Sequence, residues 1–122
     1  MATGAVRALL RLEGAAALVI AVLLYFRFGG NAWLLVPLVL AVDVSIAGYL
    51  AGPRVGAATY NALHSWTPGL VVLGAGLAAG AGAAVLAGLI LVAHVGMDRT
   101  FGYGLKYPSA FADTHLGRIG RR

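Results

Sequence analysis

From Val55 to Met97 the chain carries no Asp, Glu, Lys or Arg. That stretch is too long for one membrane-spanning helix, which takes about 20 residues at about 1.5 Å each, and it suits two. Small residues dominate Ala78 to Gly82, which marks the turn between them. The rest of the chain repeats the theme. An apolar run from Gly14 to Phe26 lies between Arg11 and Arg27, and a second run extends from Ala32 to Ala51. Apolar residues make up 61% of the 122 residues and charged residues 11%, too few to cover so small a chain in water. The sequence therefore predicts an all-α, polytopic membrane protein. Its four transmembrane helices run as two hairpins, roughly over 12–28, 32–51, 55–77 and 83–100, with a tail over 101–122. All of it forms a single membrane domain, 1–122.

The first run is not followed by a small-residue cleavage site, so it reads as a retained helix that starts near Thr3 rather than as a signal peptide. Gly29-Gly30-Asn31 reads as a turn, and Gly52-Pro53 ends the second run. With four spans, Arg7, Arg11, Arg54, Arg99, Lys106, Arg118, Arg121 and Arg122 fall on one side and Arg27 alone on the other. The positive-inside rule then makes both termini cytoplasmic. The same rule accounts for the net charge of +5, which has no basic stripe or stacking platform beside it, so no nucleic-acid partner is expected. Membrane lipids are the expected surroundings. Without cysteine, disulfides and thiolate metal sites are excluded. Gly76-x-x-x-Gly80 and Ala84-x-x-x-Gly88 place small residues where helices three and four, or two copies of the chain, can approach closely.

Ionisable residues inside spans are costly and mark functional candidates. Here they are Glu13, Asp43, His64, His94 and Asp98, all placed by the four-span reading in the cytoplasmic half. Asp43 needs a partner, a proton or a polar pocket, and His64 and His94 are its natural partners. His94 and Asp98 are i,i+4 on one helical face, so they can bind one metal, or the carboxylate can orient the imidazole. Asp98 can equally be a solvated helix-end residue, and Glu13 can pair with Arg11. Tyr60 and His64 are also i,i+4, with Asn61 beside them. Pro68 lacks an N–H and leaves the His64 carbonyl without its helical partner. In the tail, Asp113-x-His115 can fold back over the inner mouth, while Lys106 and the tyrosines around it suit the headgroup level. Arg118, Arg121 and Arg122 can touch anionic lipid.

Several segments together carry a resemblance: Asp43 to Pro53, Tyr60-Asn61-x-x-His64, His94-Val-Gly-Met-Asp98-Arg99, Gly102 to Pro108, and Thr114-His115-Leu-Gly117. In these the chain, from Leu10 to Arg121, resembles the small bacterial membrane proteins grouped as domain-of-unknown-function family 4260. The resemblance implies a compact multi-span protein and supplies no catalytic residues; the bacterial inner membrane is the expected location.

Three functions follow from the polar residues. The first is a metal-dependent membrane hydrolase of a lipid-like substrate. Asp43, His64 and His94 would hold a divalent metal such as zinc, which takes His and carboxylate ligands. Asp98 would be a fourth ligand, an orienting partner or the general base, and Tyr60, Asn61, Asp113 and His115 would form a lid or support. The second is a proton- or ion-coupled transporter working as a homo-oligomer, with Asp43 as the proton carrier and the histidines as its relay. The third is an accessory subunit in which the cluster only fixes helix packing.

Overall fold

The structure is a computed structural model, and it describes residues 1–120. Arg121 and Arg122, expected on the basic side and at the lipid surface, lie outside the described residues. Among the described residues, four helices are long and apolar enough to cross a bilayer: Gly4–Arg27, Ala32–Ala51, Pro53–Ala79 and Gly82–Phe101.

The first span is a single helix, α1 (Gly4–Arg27). Gly29 turns the chain at a φ of 85°. The turn is held because the Tyr25 hydroxyl donates to the Asn31 carbonyl at 2.8 Å, and the Asn31 side chain accepts from the Trp33 N–H at 2.8 Å. This is an N-cap for α2 (Ala32–Ala41).

The second span does not stay α-helical, as the sequence reading expected. At Val42 it tightens into a 3-10 helix that runs to Ala51. Ser45 donates to the Val42 carbonyl at 3.1 Å, and Thr59 of the next helix donates to the Ser45 carbonyl at 3.0 Å. A 3-10 helix repeats every three residues, so side chains at i and i+3 eclipse. Val42 and Ser45 fall on the buried face, and Asp43, Ile46 and Tyr49 line up beside it. An α-helix would fan that second row out.

The third span is also discontinuous. α3 (Pro53–His64) stops at Ser65, whose backbone is extended, and α4 (Trp66–Ala79) starts afresh. The span expected over 55–77 is present as Pro53–Ala79, but it is not one continuous α-helix. Pro68 supplies the reason: with no N–H at that position, the His64 carbonyl cannot be satisfied within a continuous helix. Arg99 satisfies it instead, its Nη2 donating at 2.7 Å.

α5 (Gly82–Phe101) is the hub. It is mostly buried, whereas the other spans turn most of their surface outward. The spans follow one another as hairpins in sequence, but α1 packs along α5, and so does α4. Glycines permit both approaches. A Cβ at Gly88 would collide with the Leu73 backbone, one at Gly76 with the Val85 nitrogen, and one at Gly96 with the Gly14 and Leu18 backbone. Gly76, Ala84 and Gly88 thus serve contacts within the chain. Gly80 does not: it sits at a φ of 66° as the C-cap of α4, with open space around it.

The tail is ordered. After Gly102 it returns across the helix ends and closes as a short antiparallel hairpin, β1 (Asp113–Thr114) with β2 (Gly117–Arg118). The Ala2 N–H donates to the His115 carbonyl at 2.6 Å, so the two ends of the chain lie together. Lys106, expected among headgroups, is buried, with Nζ 3.6 Å from the centre of the Phe111 ring and 4.6 Å from that of Tyr60.

Candidate metal centre

Three spans meet at one point. Asp43 comes from the 3-10 segment, His64 from the last residue of α3, and His94 and Asp98 from adjacent turns of α5. His64 Nε2 lies 3.2 Å from Asp43 Oδ1 and 3.6 Å from Asp98 Oδ2. His94 Nε2 lies 3.2 Å and 3.4 Å from the same two oxygens. The two Nε2 atoms are 2.9 Å apart. All four ligand atoms lie within 4.8 Å of one another, and the set could hold a metal ion.

The other ring nitrogens fix the tautomers. His64 Nδ1 is 2.8 Å from the Tyr60 carbonyl, and His94 Nδ1 is 2.6 Å from the Val39 carbonyl. A carbonyl only accepts, so each Nδ1 carries the proton. In the neutral rings both Nε2 atoms then point lone pairs into the same space, where two carboxylate oxygens also point. Four acceptors converge there without a donor among them. Such an arrangement can hold a cation, a metal ion or a proton on one of the rings.

The spacing tests which cation fits. Five of the six separations among these atoms are 2.9–3.6 Å, close enough for one ion to touch all four, and two imidazoles with two carboxylates are a donor set that zinc accepts. Calcium prefers six to eight oxygens at about 2.3–2.6 Å and magnesium an octahedron of oxygens; two imidazoles suit neither.

The residues around the cluster are placed as follows. His64 and His94 are fully buried and Asp98 nearly so, while the Asp43 side chain is 43% exposed. The Tyr60 hydroxyl donates to Asp98 Oδ2 at 3.0 Å, and its ring stacks on His64 at 3.7 Å between centroids. Asn61 grips the tail: its Oδ1 accepts from the Lys106 N–H at 2.7 Å and its Nδ2 donates to the Lys106 carbonyl at 2.8 Å. His115 accepts from the Leu105 N–H at Nδ1, 2.8 Å, and does not reach the cluster. Burial, and then the Arg99 charge, push its imidazole below the usual histidine range. Asp113 binds Ser109 and Arg118 and stays within the tail. Glu13 is exposed, away from the cluster, and has no ion-pair partner among the described residues.

A cavity of about 270 Å³ opens on the cluster from the tail side. Asp43, Asp98 and Tyr60 form its polar wall, Ile46, Phe111 and Ile119 its apolar wall, and Lys106 and Tyr103 lie between. Burial pushes the Lys106 ammonium below the usual lysine range, against the pull of Asp98 and Asp43. Two participants were not legible as such in the sequence. Lys106 and Arg99 read as basic residues flanking the membrane, and nothing in their spacing signals burial against this site.

The family model described as a domain of unknown function (DUF4260) matches residues 7–119. The chain belongs to this family. The match spans every residue of the cluster and nearly all of the returning tail. No curated protein and no solved structure gave a match.

Proposed function

We propose that the chain is a metal-dependent hydrolase of the bacterial inner membrane, acting on a lipid-like substrate from the cytoplasmic side. The observation that carries this reading is the pair of Nε2 lone pairs held 2.9 Å apart by two Nδ1–H bonds to carbonyls, with two carboxylate oxygens beside them. Unequal exposure separates the two carboxylates. Asp98 is buried and held by Tyr60, as a permanent ligand beside His64 and His94 needs to be. Asp43 faces the cavity and is the one that can swing away from the centre, take a proton from water and return it to the leaving group. This exchanges the roles that the spacing alone suggests for Asp43 and Asp98. A divalent ion such as zinc, when bound, polarises the scissile group and activates water. Lys106 places a positive charge on the cavity wall where negative charge develops on the substrate. Ile46, Phe111 and Ile119 suit an acyl chain, and with Tyr60 and Lys106 they limit access of bulk water.

A proton-coupled transporter has one observation in its favour. The two irregular stretches, at Val42–Ala51 and at Ser65, border a polar cavity, as discontinuous helices do in transporters. A proton shared between the two Nε2 atoms would also join the rings, with the two carboxylates as its counter-ions, and metal content separates the two readings. A homo-oligomer would have to use faces other than Gly76 and Gly88, which are occupied within the chain.

Metal content of protein purified in detergent without chelator tests the reading. About one transition-metal ion per chain is expected, with hydrolysis of lipid esters or phosphoesters that is lost together with the metal in His64→Asn/His94→Asn. Wild-type protein that neither contains zinc nor takes it up on addition overturns the reading and directs work to proton flux through Asp43.

A further inference from the structure

A second cavity, of about 510 Å³, lies on the same end of the molecule and has a different character. Arg7 and Arg11 of α1 and Arg118 of β2 line it, and among the described residues no acidic one does. Arg7 and Arg11 each spend a single N–H on the fold: Nε of Arg7 donates to the Leu116 carbonyl, and Nε of Arg11 donates to the Thr100 carbonyl at 3.0 Å. Those bonds fix the planes of the guanidinium groups and leave their Nη donors uncommitted among the described residues. A guanidinium has five N–H donors in a rigid fork, the geometry that takes phosphate oxygens two at a time. Arg118 is shared with Asp113 through Nη1. Backbone makes way for the arginines: the chain turns at Gly102 with a φ of 90°, where a Cβ would meet Arg7 Nη2 at 2.9 Å.

We propose that Arg7, Arg11 and Arg118 form a binding site for a phosphate group, carried on a lipid headgroup or free in solution. Arg118 is offset by Asp113, but Arg7 and Arg11 have no carboxylate partner among the described residues and would repel one another in the empty site. An anion relieves that, and their height suits the headgroup zone. Tyr103 and Ile119 line this cavity and the Asp/His cavity alike, so the two share a wall. A phosphate held here would therefore sit beside the metal centre, which makes a phosphate-bearing lipid the substrate class; that last step, unlike the site itself, rests on the hydrolase reading.

The test is equilibrium binding to chelator-treated protein in detergent, using short-chain phosphatidic acid, diacylglycerol of the same chains, and inorganic phosphate. Phosphatidic acid is expected to bind at least tenfold more tightly than diacylglycerol, and Arg7→Gln/Arg11→Gln should abolish the difference. Because those arginines also hold carbonyls, Phe101→Glu is the second variant. Phe101 lines the cavity and is 63% exposed, so a carboxylate there opposes the arginines without removing a bond from the fold. It too should cost at least tenfold. Inorganic phosphate that competes at millimolar concentration identifies the free ion as sufficient; failure to compete identifies the lipid-borne group. Equal affinity for phosphatidic acid and diacylglycerol with no binding of phosphate overturns the proposal, as does binding unchanged by Phe101→Glu. The metal is absent throughout, so a negative result leaves the hydrolase reading standing.

Discussion

His94→Ala is the obvious way to test the metal centre and a poor one. It removes the ligand, but it also strips the buried Val39 carbonyl of the donor 2.6 Å away. A buried acceptor left alone costs about 1–3 kcal/mol, and the space left by the ring adds to that. The variant would melt early whether or not a metal binds. His94→Asn separates the two effects, because the asparagine amide can occupy the Nδ1 side of the ring and keep donating to Val39 while nothing replaces Nε2. Zinc at a hundred times its dissociation constant stabilises a one-site protein by about 2.7 kcal/mol. At roughly 3–6 °C per kcal/mol for a chain of this length, the wild type should melt about 8–16 °C higher with zinc than with chelator. His94→Asn should melt close to the chelated wild type and gain less than a couple of degrees from zinc. Tryptophan fluorescence on heating reads this out, since Trp66 begins α4 one residue beyond the break. An equal zinc-dependent shift in His94→Asn would mean that zinc acts elsewhere on the protein, and the Asp43/His64/His94/Asp98 centre would be refuted.

Three further outcomes are expected. Gly88→Ala should lose about 1–3 kcal/mol, because its Cβ meets the Leu73 backbone, which cannot step aside; Gly74→Ala, with open space around it, should be neutral or slightly stabilising by thermal melting. Asn61→Ala removes both bonds between α3 and the Lys106 backbone, so amide exchange over residues 103–119 should rise at least tenfold while α5 stays protected. The tail should also loosen in acid. His115 has its pKa lowered on folding, so its contribution is fully present above the unfolded value of about 6.5 and is lost as pH falls from there toward the folded value. Protonation at Nδ1 would also break its bond from the Leu105 N–H. Exchange in the tail measured at pH 7.5 and 5.5 should differ in the wild type, and the difference should shrink in His115→Gln.

The sequence reading located the spans because lipid imposes a simple rule on composition, and it located Asp43, His64, His94 and Asp98 because that rule makes an intramembrane charge conspicuous. Pro68 even announced a free carbonyl at His64. What it could not announce was the partner: Arg99 looks like any helix-end cation until α5 is packed against α3. The tightening at Val42 comes with a contact between segments, Thr59 against the Ser45 carbonyl, that local pattern does not encode. Lys106 misled for a related reason. Flanked by tyrosines, it has the composition of an interfacial residue, and only the return path of the tail buries it. Gly80 shows the limit of motif reading, since a Gly-x-x-x-Gly spacing says nothing about which glycine packs and which one turns the chain.

The central place of α5 also governs how the protein can be made. Translation delivers Asp43 and His64 into the membrane well before the helix that carries His94, Asp98 and Arg99. Until that last segment emerges, a carboxylate and an imidazole sit in or near lipid without the groups that compensate them, and α1 and α4 lack the surface against which their glycines fit. Assembly is therefore completed from the C-terminal end, in one late step, when the least exposed helix slides between neighbours already inserted. A ribosome stalled short of residue 94 would leave a chain with spans but no site, and such a chain is what a membrane quality-control protease should recognise.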